Sequence, residues 1–463
     1  MSDPQEHVVW LPLRPGSSWR GEGIAQTVEN ILTHAPADSR FCVVVSKDHA
    51  PDLRKVLEKH PNVRVHPIGF GKRKRSVEIT LSSQDSPSLI EIAATKFRLP
   101  RFHSFSVRWE LAKYSLSLYW HYFLQRRGWF LPGRTVYWFP TPIIPGTERI
   151  KAKKVCSFWD PFVFEYREFA GIAPILLRKF RSHFEDATWI STQSEANQDY
   201  LTRVLKMNPA KITVLHNGSP SYAQFLPKLQ AIGKRNAAGL LDAWSPEKYS
   251  GESRSAARLQ LAKDLVNKSV LWRLLQKVQR PRDKILMVST QLRPYKGFGA
   301  LLELMNYLVS NEAEYQYHFV FTAEVPVEAK EQYPILYERI HEIIRVPAFQ
   351  HAALYYIADL VLHPSFVEGG LGVYPQFEAA SVGTPTLVNI GRHVLEQTSD
   401  QTPPPHTSAV FTDVRATAKK IEALMASEAL REANLRETRD LVVEWSESSQ
   451  QYANMFDRLA NVE

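Results

Sequence analysis

The chain has 463 residues, with 57 Lys and Arg against 48 Asp and Glu for a formal charge of +9, and 44% of it is hydrophobic. That length supports two domains of ordinary size, each with its own core, and the apolar content excludes a disordered chain. Two cysteines, Cys42 and Cys156, argue against a disulfide framework and for a reducing compartment, or indifference to it; a cytoplasmic location is expected, and no apolar stretch is long enough to span a bilayer. The polar start, 1–7, precedes an apolar run too short for a signal peptide. A positive balance suits an anionic partner: a nucleotide diphosphate, a lipid phosphate, a membrane surface or a nucleic acid.

In chain order, 8–13 reads as the first strand, 14–23 as a loop carrying Gly21 and Gly23, and 24–32 as a helix by its apolar spacing. A strand at 41–45, a helix at 52–60 and a strand at 63–68 continue the alternation, which predicts a parallel sheet covered on both faces. Segment 96–134 differs in character. Lys96, Arg98, Arg101, Arg108, Lys113, Arg126, Arg127 and Arg134 stand against one acid, Glu110, with aromatic residues interleaved. Its part 106–127 fits one helix of about 33 Å. A basic, aromatic, amphipathic helix suits a membrane interface, and a core helix with a solvated basic edge is the alternative.

Strands follow at 136–140 and 154–157, then at 187–191 and 212–216 with a helix at 194–205 between them. Residues 228–280 hold no convincing strand, only helical spacing over 259–278, and read as an enlarged connection between domains. The strand 285–290 ends in Gln291-Leu-Arg-Pro-Tyr-Lys-Gly297, and a helix follows at 300–308. Arg293 and Lys296 thus put two fixed positive charges at a strand's C-terminal end, where open α/β sheets bind ligands. Further strands are expected at 317–322 and 343–346.

The densest stretch is 360–390. A buried strand at 360–362 leads into His363-Pro-Ser365 and then into a loop with Glu368 among Gly369, Gly370 and Gly372. Pro375 fits the first turn of a helix containing Glu378; Gly383 fits its stop, and Pro385 forbids continuation. Backbone N–H groups of a glycine loop beside a helix N-terminus favour a phosphate. An ionised carboxylate accepts hydrogen bonds, so Glu378 suits a ribose diol and Glu368 sugar hydroxyls. No Asp-x-Asp metal motif, no Cys/His set with zinc spacing and no Gly-x-x-x-x-Gly-Lys-Ser/Thr loop is present, so no metal ligands are assigned.

Pro364-Ser365, Glu368-Gly369, Glu378-Ala379 and Gly383-Thr384-Pro385 resemble the acidic-pair motif of family 4 glycosyltransferases. The resemblance implies a GT-B fold: α/β, two Rossmann-like doubly wound domains facing each other across a cleft. It implies transfer with retention from a nucleotide sugar, without metal or other cofactor. By resemblance, Glu378 holds the nucleotide ribose and Glu368 faces the donor sugar. The family usually has seven residues between the two; here Gly369 to Phe377 intervene, two more, which implies a longer glycine loop. Arg293 and Lys296 would hold the diphosphate, although the family arginine more often stands at Gln291. Val346 would flank the base, and Gly21 and Gly23 would line the cleft. Asp160 matches the aspartate of a histidine–aspartate pair near the donor sugar, with Trp159 where the histidine is expected. His216-Asn217-Gly218 resembles the turn closing the first domain, and 443–447 with Tyr452 and Phe456 resembles a terminal helix returning to it.

The implied domains are 1–227 for acceptor binding, 228–280 as linker, 281–443 for the nucleotide sugar and 444–463 as the returning helix. The implied activity moves a hexose from a GDP- or UDP-linked donor, GDP-mannose favoured. The acceptor would be a saccharide or lipid-linked saccharide of bacterial surface polysaccharide synthesis, reached at the inner face of the membrane through 96–134, with no nucleic-acid partner. Two rivals stand beside it. A sugar-nucleotide epimerase on the same fold would turn over donor alone. A non-enzymatic basic scaffold for membrane or nucleic acid would show salt-dependent binding without donor affinity.

Overall fold

The structure is a computed structural model, and it describes residues 6–11, 23–46, 50–57, 60–68, 136–140, 152–161, 173–234, 236–243, 254–278, 282–290, 296–311, 314–344, 346–370, 372–398 and 401–461. Segment 96–134, Gly21, Gln291 and Arg293 lie outside the described residues. The chain divides into two compact units: Met1–Gly218 with Val443–Glu463, and Ser219–Val442.

The first unit is built on seven parallel strands: β1 (Glu6–Leu11), β2 (Arg40–Ser46), β3 (Val63–Ile68), β4 (Val136–Phe139), β5 (Lys153–Phe158), β6 (Trp189–Thr192) and β7 (Ile212–Val214), in spatial order β3-β2-β1-β4-β5-β6-β7. Successive side chains of a strand point to opposite faces. Val8, Trp10, Cys42, Val44, Tyr137, Phe139, Cys156 and Phe158 accordingly join one core with the helices Ala173–Glu185 and Glu195–Arg203. Val9, Leu11, Phe41, Val43, Val45, Val136, Trp138 and Val155 join the other. That second face is covered by the helices Gly23–Thr33, Ala50–Leu57 and Trp445–Asn461. Tyr452 and Phe456 of the last helix are buried against Trp138, with ring centroids 5.0 and 5.6 Å away. Trp445, which opens that helix, lies so close over Gly218 that any Cβ there would fall 2.3 Å from the indole.

β1 begins two residues before the apolar run. Glu6 and His7 extend the ladder because each finds a distant partner: Arg64 donates to Glu6 at 2.8 Å, and His7 lies 3.4 Å from Asp457.

The second unit is a six-stranded parallel sheet: β8 (Asp283–Val288), β9 (Gln316–Phe321), β10 (Ile340–Glu342), β11 (Leu360–His363), β12 (Thr386–Asn389) and β13 (Ser408–Ala409), in order β10-β9-β8-β11-β12-β13. One face packs Leu286, Val288, Phe319, Phe321, Leu360, Leu362 and Leu387 against the helices Phe298–Ser310 and Val414–Ala426. The other packs Ile285, Met287, Val320 and Val361 against the helix Ala348–Ile357.

Residues read from sequence as a connection, 228–280, pack into this second core. The helices Leu226–Ile232, Ala237–Ala243 and Arg254–Lys277 bury Leu229, Leu240, Leu241, Leu271 and Leu274 there. β10 ends before 343–346, where a strand was expected. Asn267 of the helix Arg254–Lys277 instead takes up both backbone groups of Ile344, at 2.7 and 3.2 Å, in place of a neighbouring strand.

Candidate functional site

In the second sheet the chain runs outward from β8 to β9 and β10, then returns to place β11 on β8's other side. β8 and β11 are therefore adjacent strands whose connections leave in opposite directions, the switch point at which an α/β sheet opens a crevice at its carboxyl ends. The two loops leaving these strands carry the expected charges. Lys296 precedes the helix Phe298–Ser310, and Glu368 follows β11. Their side chains meet, Lys296 Nζ to Glu368 Oε1 at 2.5 Å, with 17% and 21% of each exposed.

Two glycines let the loops come this close. Gly297 has φ +68°, and a Cβ there would lie 2.0 Å from the Pro364 carbonyl oxygen. Gly372 has φ +128°, and a Cβ there would press on the Phe377 ring at 2.8 Å. Only glycine meets both demands at each position. Ser365, fully buried, donates its hydroxyl to the Val367 carbonyl at 2.9 Å and shapes the turn that presents Glu368. Gly369 and Gly370 complete the loop, and the helix Tyr374–Ser381 starts from Val373 with Pro375 in its first turn.

A third group joins the pair. His363, the last residue of β11 and 3% exposed, places Nε2 2.9 Å from the same Oε1 of Glu368. Burial alone would raise the Glu368 pKa. The Lys296 charge and the His363 hydrogen bond outweigh it and hold the carboxyl well below the usual carboxylate range. His393, on the short helix Arg392–Leu395 after β12, belongs to the same electrostatic neighbourhood.

Glu378 sits in the opposite environment. Tyr355 donates to its Oε2 at 2.7 Å, and Tyr222 is a second hydroxyl partner. Burial dominates, and the carboxyl is pushed up to about 7 despite those hydrogen bonds. Tyr222 in turn meets His351 Nδ1 at 2.9 Å, and His351 Nε2 meets Ser289 Oγ at 2.9 Å, at the end of β8. Burial pushes His351 down to about 4, so it is neutral. Tyr222 has one hydroxyl proton, so donation to Glu378 requires His351 to donate from Nδ1 and to accept from Ser289. The segment just after Gly218 is pinned to the same helix: Tyr222 N–H donates to Ser381 Oγ at 2.8 Å, and Ser381 Oγ donates to the Glu378 carbonyl at 2.6 Å.

The two carboxylates, both on the stretch between β11 and β12, thus have opposite protonation behaviour, one locked anionic and one poised near neutrality. Val346, partly buried, packs on the core beside the start of the helix Ala348–Ile357. Asp160 and Gly23 lie in the first unit. Asp160 is half-buried beyond β5, and Gly23 opens the helix Gly23–Thr33. Trp159 spans neighbouring loops: its indole donates to the Pro140 carbonyl, and its own carbonyl accepts from Gln193 and Asn197 at 2.8 Å each. Among the described residues, no three His, Cys, Asp or Glu side chains are placed to share a metal ion, and no helix is long and apolar enough to cross a membrane.

Sequence reasoning passed over His363, His393, Tyr222, Tyr355, His351 and Ser289. A histidine closing a buried strand just before Pro-Ser was the one available signal, and it pointed to His363 alone.

Residues 273–440 match the family model for glycosyl transferases, group 1, a span that includes every strand of the second sheet together with Lys296, Glu368, Glu378 and His393. No curated protein sequence matches the chain. Among solved structures, sucrose-phosphate synthase from Thermosynechococcus elongatus is similar over 98% of this chain and 99% of its own, at 14% identity and TM-score 0.60. HepE of Anabaena, solved in complex with UDP-glucose, is similar over 98% and 99%, at 11% identity and TM-score 0.57. WaaG, a glycosyltransferase involved in lipopolysaccharide biosynthesis, is similar over 97% and 99%, at 12% identity and TM-score 0.54. At such identities the likeness shows the fold, and the fold is GT-B, with two Rossmann-like parallel-sheet domains.

Proposed function

We propose that the chain is a retaining, metal-independent glycosyltransferase that moves a hexose from a nucleotide sugar to a saccharide or lipid-linked saccharide. The observation that carries this reading is the meeting of Lys296, Glu368 and His363 at the β8–β11 switch point, with Glu378 one helix away. The match of 273–440 to glycosyl transferases, group 1, supports the same reading. HepE, of like fold, was solved with UDP-glucose, which supports a nucleotide sugar as donor.

The roles follow from the chemistry. Glu378, once ionised, accepts both hydroxyls of the nucleotide ribose. Lys296 has three N–H donors, so it keeps Glu368 and reaches the diphosphate as well. With Arg293 it offsets charge that grows on the leaving phosphate. Amides of the 369–373 loop add neutral donors at the start of the helix Tyr374–Ser381. The acceptor oxygen bonds to the anomeric carbon from the face that the phosphate leaves. The bond from that carbon to the phosphate oxygen breaks, and the departing phosphate takes the acceptor's proton. Asp160 is assigned to the donor-sugar side by resemblance.

The favoured donor is GDP-mannose, with UDP-linked hexoses as the alternative. The setting is synthesis of a bacterial surface polysaccharide at the inner face of the membrane. WaaG, of like fold, works in lipopolysaccharide biosynthesis, which suits a lipid-linked acceptor. Segment 96–134 would supply the membrane-facing surface.

A thermal-shift screen against UDP-, GDP-, ADP- and dTDP-sugars tests the reading, followed by product analysis of the best donor with saccharide acceptors. Stabilisation by at least one class and a new glycosidic bond of unchanged anomeric configuration are expected. Donor turnover to free nucleotide and an epimerised sugar with no acceptor would replace transferase by epimerase. No stabilisation by any nucleotide sugar would end the reading.

A further inference from the structure

His393 is 2% exposed, yet among the described residues neither ring nitrogen finds a hydrogen-bond partner. Nδ1 of His363, 3% exposed, likewise finds none among them. Buried polar groups are ordinarily satisfied, and an exception beside a carboxylate–ammonium pair marks a place built to receive polar groups. The local backbone is shaped around this imidazole. Gly391 has extended φ that any residue adopts, so its lack of a side chain serves space: a Cβ there would fall 2.4 Å from the Phe366 carbonyl oxygen and 2.8 Å from Cε1 of His393. The missing Cβ allows the 391–393 segment and the turn bearing Glu368 to close upon each other.

Burial pushes His393 down to about 3; Glu368 opposes this, while His363 and Lys296 add to it. The ring is therefore neutral, with one N–H to donate and one lone pair to accept. That combination complements a hydroxyl, which also donates and accepts. The adjoining Glu368 adds an obligate acceptor, already charge-balanced by Lys296. The set suits neighbouring hydroxyls on an uncharged sugar.

On the transferase reading above, we infer that His393, with His363 and Glu368, reads the hydroxyls of the transferred hexose, and that His393 sets which neutral hexose the site accepts. The crevice then divides its work. Glu378 and Lys296 hold the nucleotide, while the 391–393 segment distinguishes one sugar from another.

Calorimetry on wild type, His393→Leu, His393→Phe and His393→Gln, with UDP, GDP, UDP-glucose and GDP-mannose, tests this. The quantity read is the ratio of Kd for a nucleotide sugar to Kd for its free nucleotide. Loss of both hydrogen bonds is expected to raise that ratio about tenfold or more in the Leu and Phe variants. Free-nucleotide Kd should stay within about twofold, and Gln, which keeps a donor and an acceptor, should restore part of the ratio. Two apolar sizes are used so that one folded variant suffices. A ratio unchanged in both, or free nucleotide weakened as much as nucleotide sugar, would overturn the assignment and leave His393 a packing residue. If wild type binds none of the four, the same ratio is measured with ADP- and dTDP-sugars and their free nucleotides, and failure to bind any nucleotide sugar would overturn the transferase reading, and this inference with it.

Discussion

Glu378 offers the sharpest test of the site, because its protonation and its proposed role pull against each other. Burial holds the carboxyl at about 7 in the ligand-free protein. To accept two ribose hydroxyls it must be ionised, so nucleotide binding draws the proton off. Affinity is then full well above pH 7 and falls as pH drops below it. With a pKa near 7, about nine-tenths of the carboxyl is ionised at pH 8 and about one-tenth at pH 6. Those fractions are about 10/11 and 1/11, so binding confined to the ionised form should weaken about tenfold between the two, about 1.4 kcal/mol.

A nucleotide sugar is the probe of choice, since each of its phosphates carries one ester and one anhydride bond and so has no group that titrates in this range. Calorimetry with GDP-mannose and UDP-glucose from pH 6 to 8 gives the slope directly. Glu378→Gln should flatten the profile at an affinity no better than wild type at pH 6. Stability runs the other way. A folded pKa above the unfolded one contributes stability that is full below the unfolded value and lost as pH rises through about 7. Wild type should thus lose ground to Glu378→Gln in ligand-free melting temperature over the interval in which it gains affinity. A flat wild-type profile, or an unchanged slope in Glu378→Gln, would refute the assignment.

Lys296→Ala should abolish transfer and let the Glu368 pKa rise, since the largest opposing charge is gone; carbon-13 titration of the carboxyl and a transfer assay read the two effects. Arg293→Ala should cost at least tenfold in kcat/KM, about 1.4 kcal/mol, and near-normal turnover would move the role to Gln291. Transfer is expected to persist in EDTA, because on the proposed assignment Lys296 and Arg293 would take the place of a divalent ion at the diphosphate; loss with EDTA and recovery with manganese would reverse that assignment. Gly297→Ala should destabilise by about 2 kcal/mol or more in urea unfolding, from a Cβ forced onto the Pro364 carbonyl at positive φ. Wild-type stability there would mean that the loops after β8 and β11 do not meet as described.

Much of the fold was open to reading from the chain alone. Apolar runs such as 41–45 and 360–362 bury both faces of a strand, and their alternation with helical spacing implies a parallel sheet whatever the strand order. The glycine loop, the helix begun at Pro375 and the place of Glu378 upon it are local features of φ, capping and spacing, so they too were legible. So was the positive charge of Lys296 at the mouth of a strand.

Strand order was decided by tertiary structure. Periodicity says that β8 and β11 are strands but not that they are neighbours; only the return of the chain past β8 brings Lys296 within 2.5 Å of a carboxylate 72 positions away. The histidines stayed hidden for a related reason. His363, His351 and His393 are lone residues on apolar elements, and a buried histidine looks the same in sequence whether it packs, shuttles a hydrogen bond or awaits a ligand. The stretch 228–280 misled because Leu229, Leu240 and Leu271 serve a core whose other wall is built from Ile285, Met287, Val361 and the helix Ala348–Ile357. Local chemistry is written in residue types and spacing. The protonation of Glu368 and Glu378 depends on burial and on partners that only the packed sheet supplies, and that is why two glutamates ten residues apart end with opposite charge behaviour.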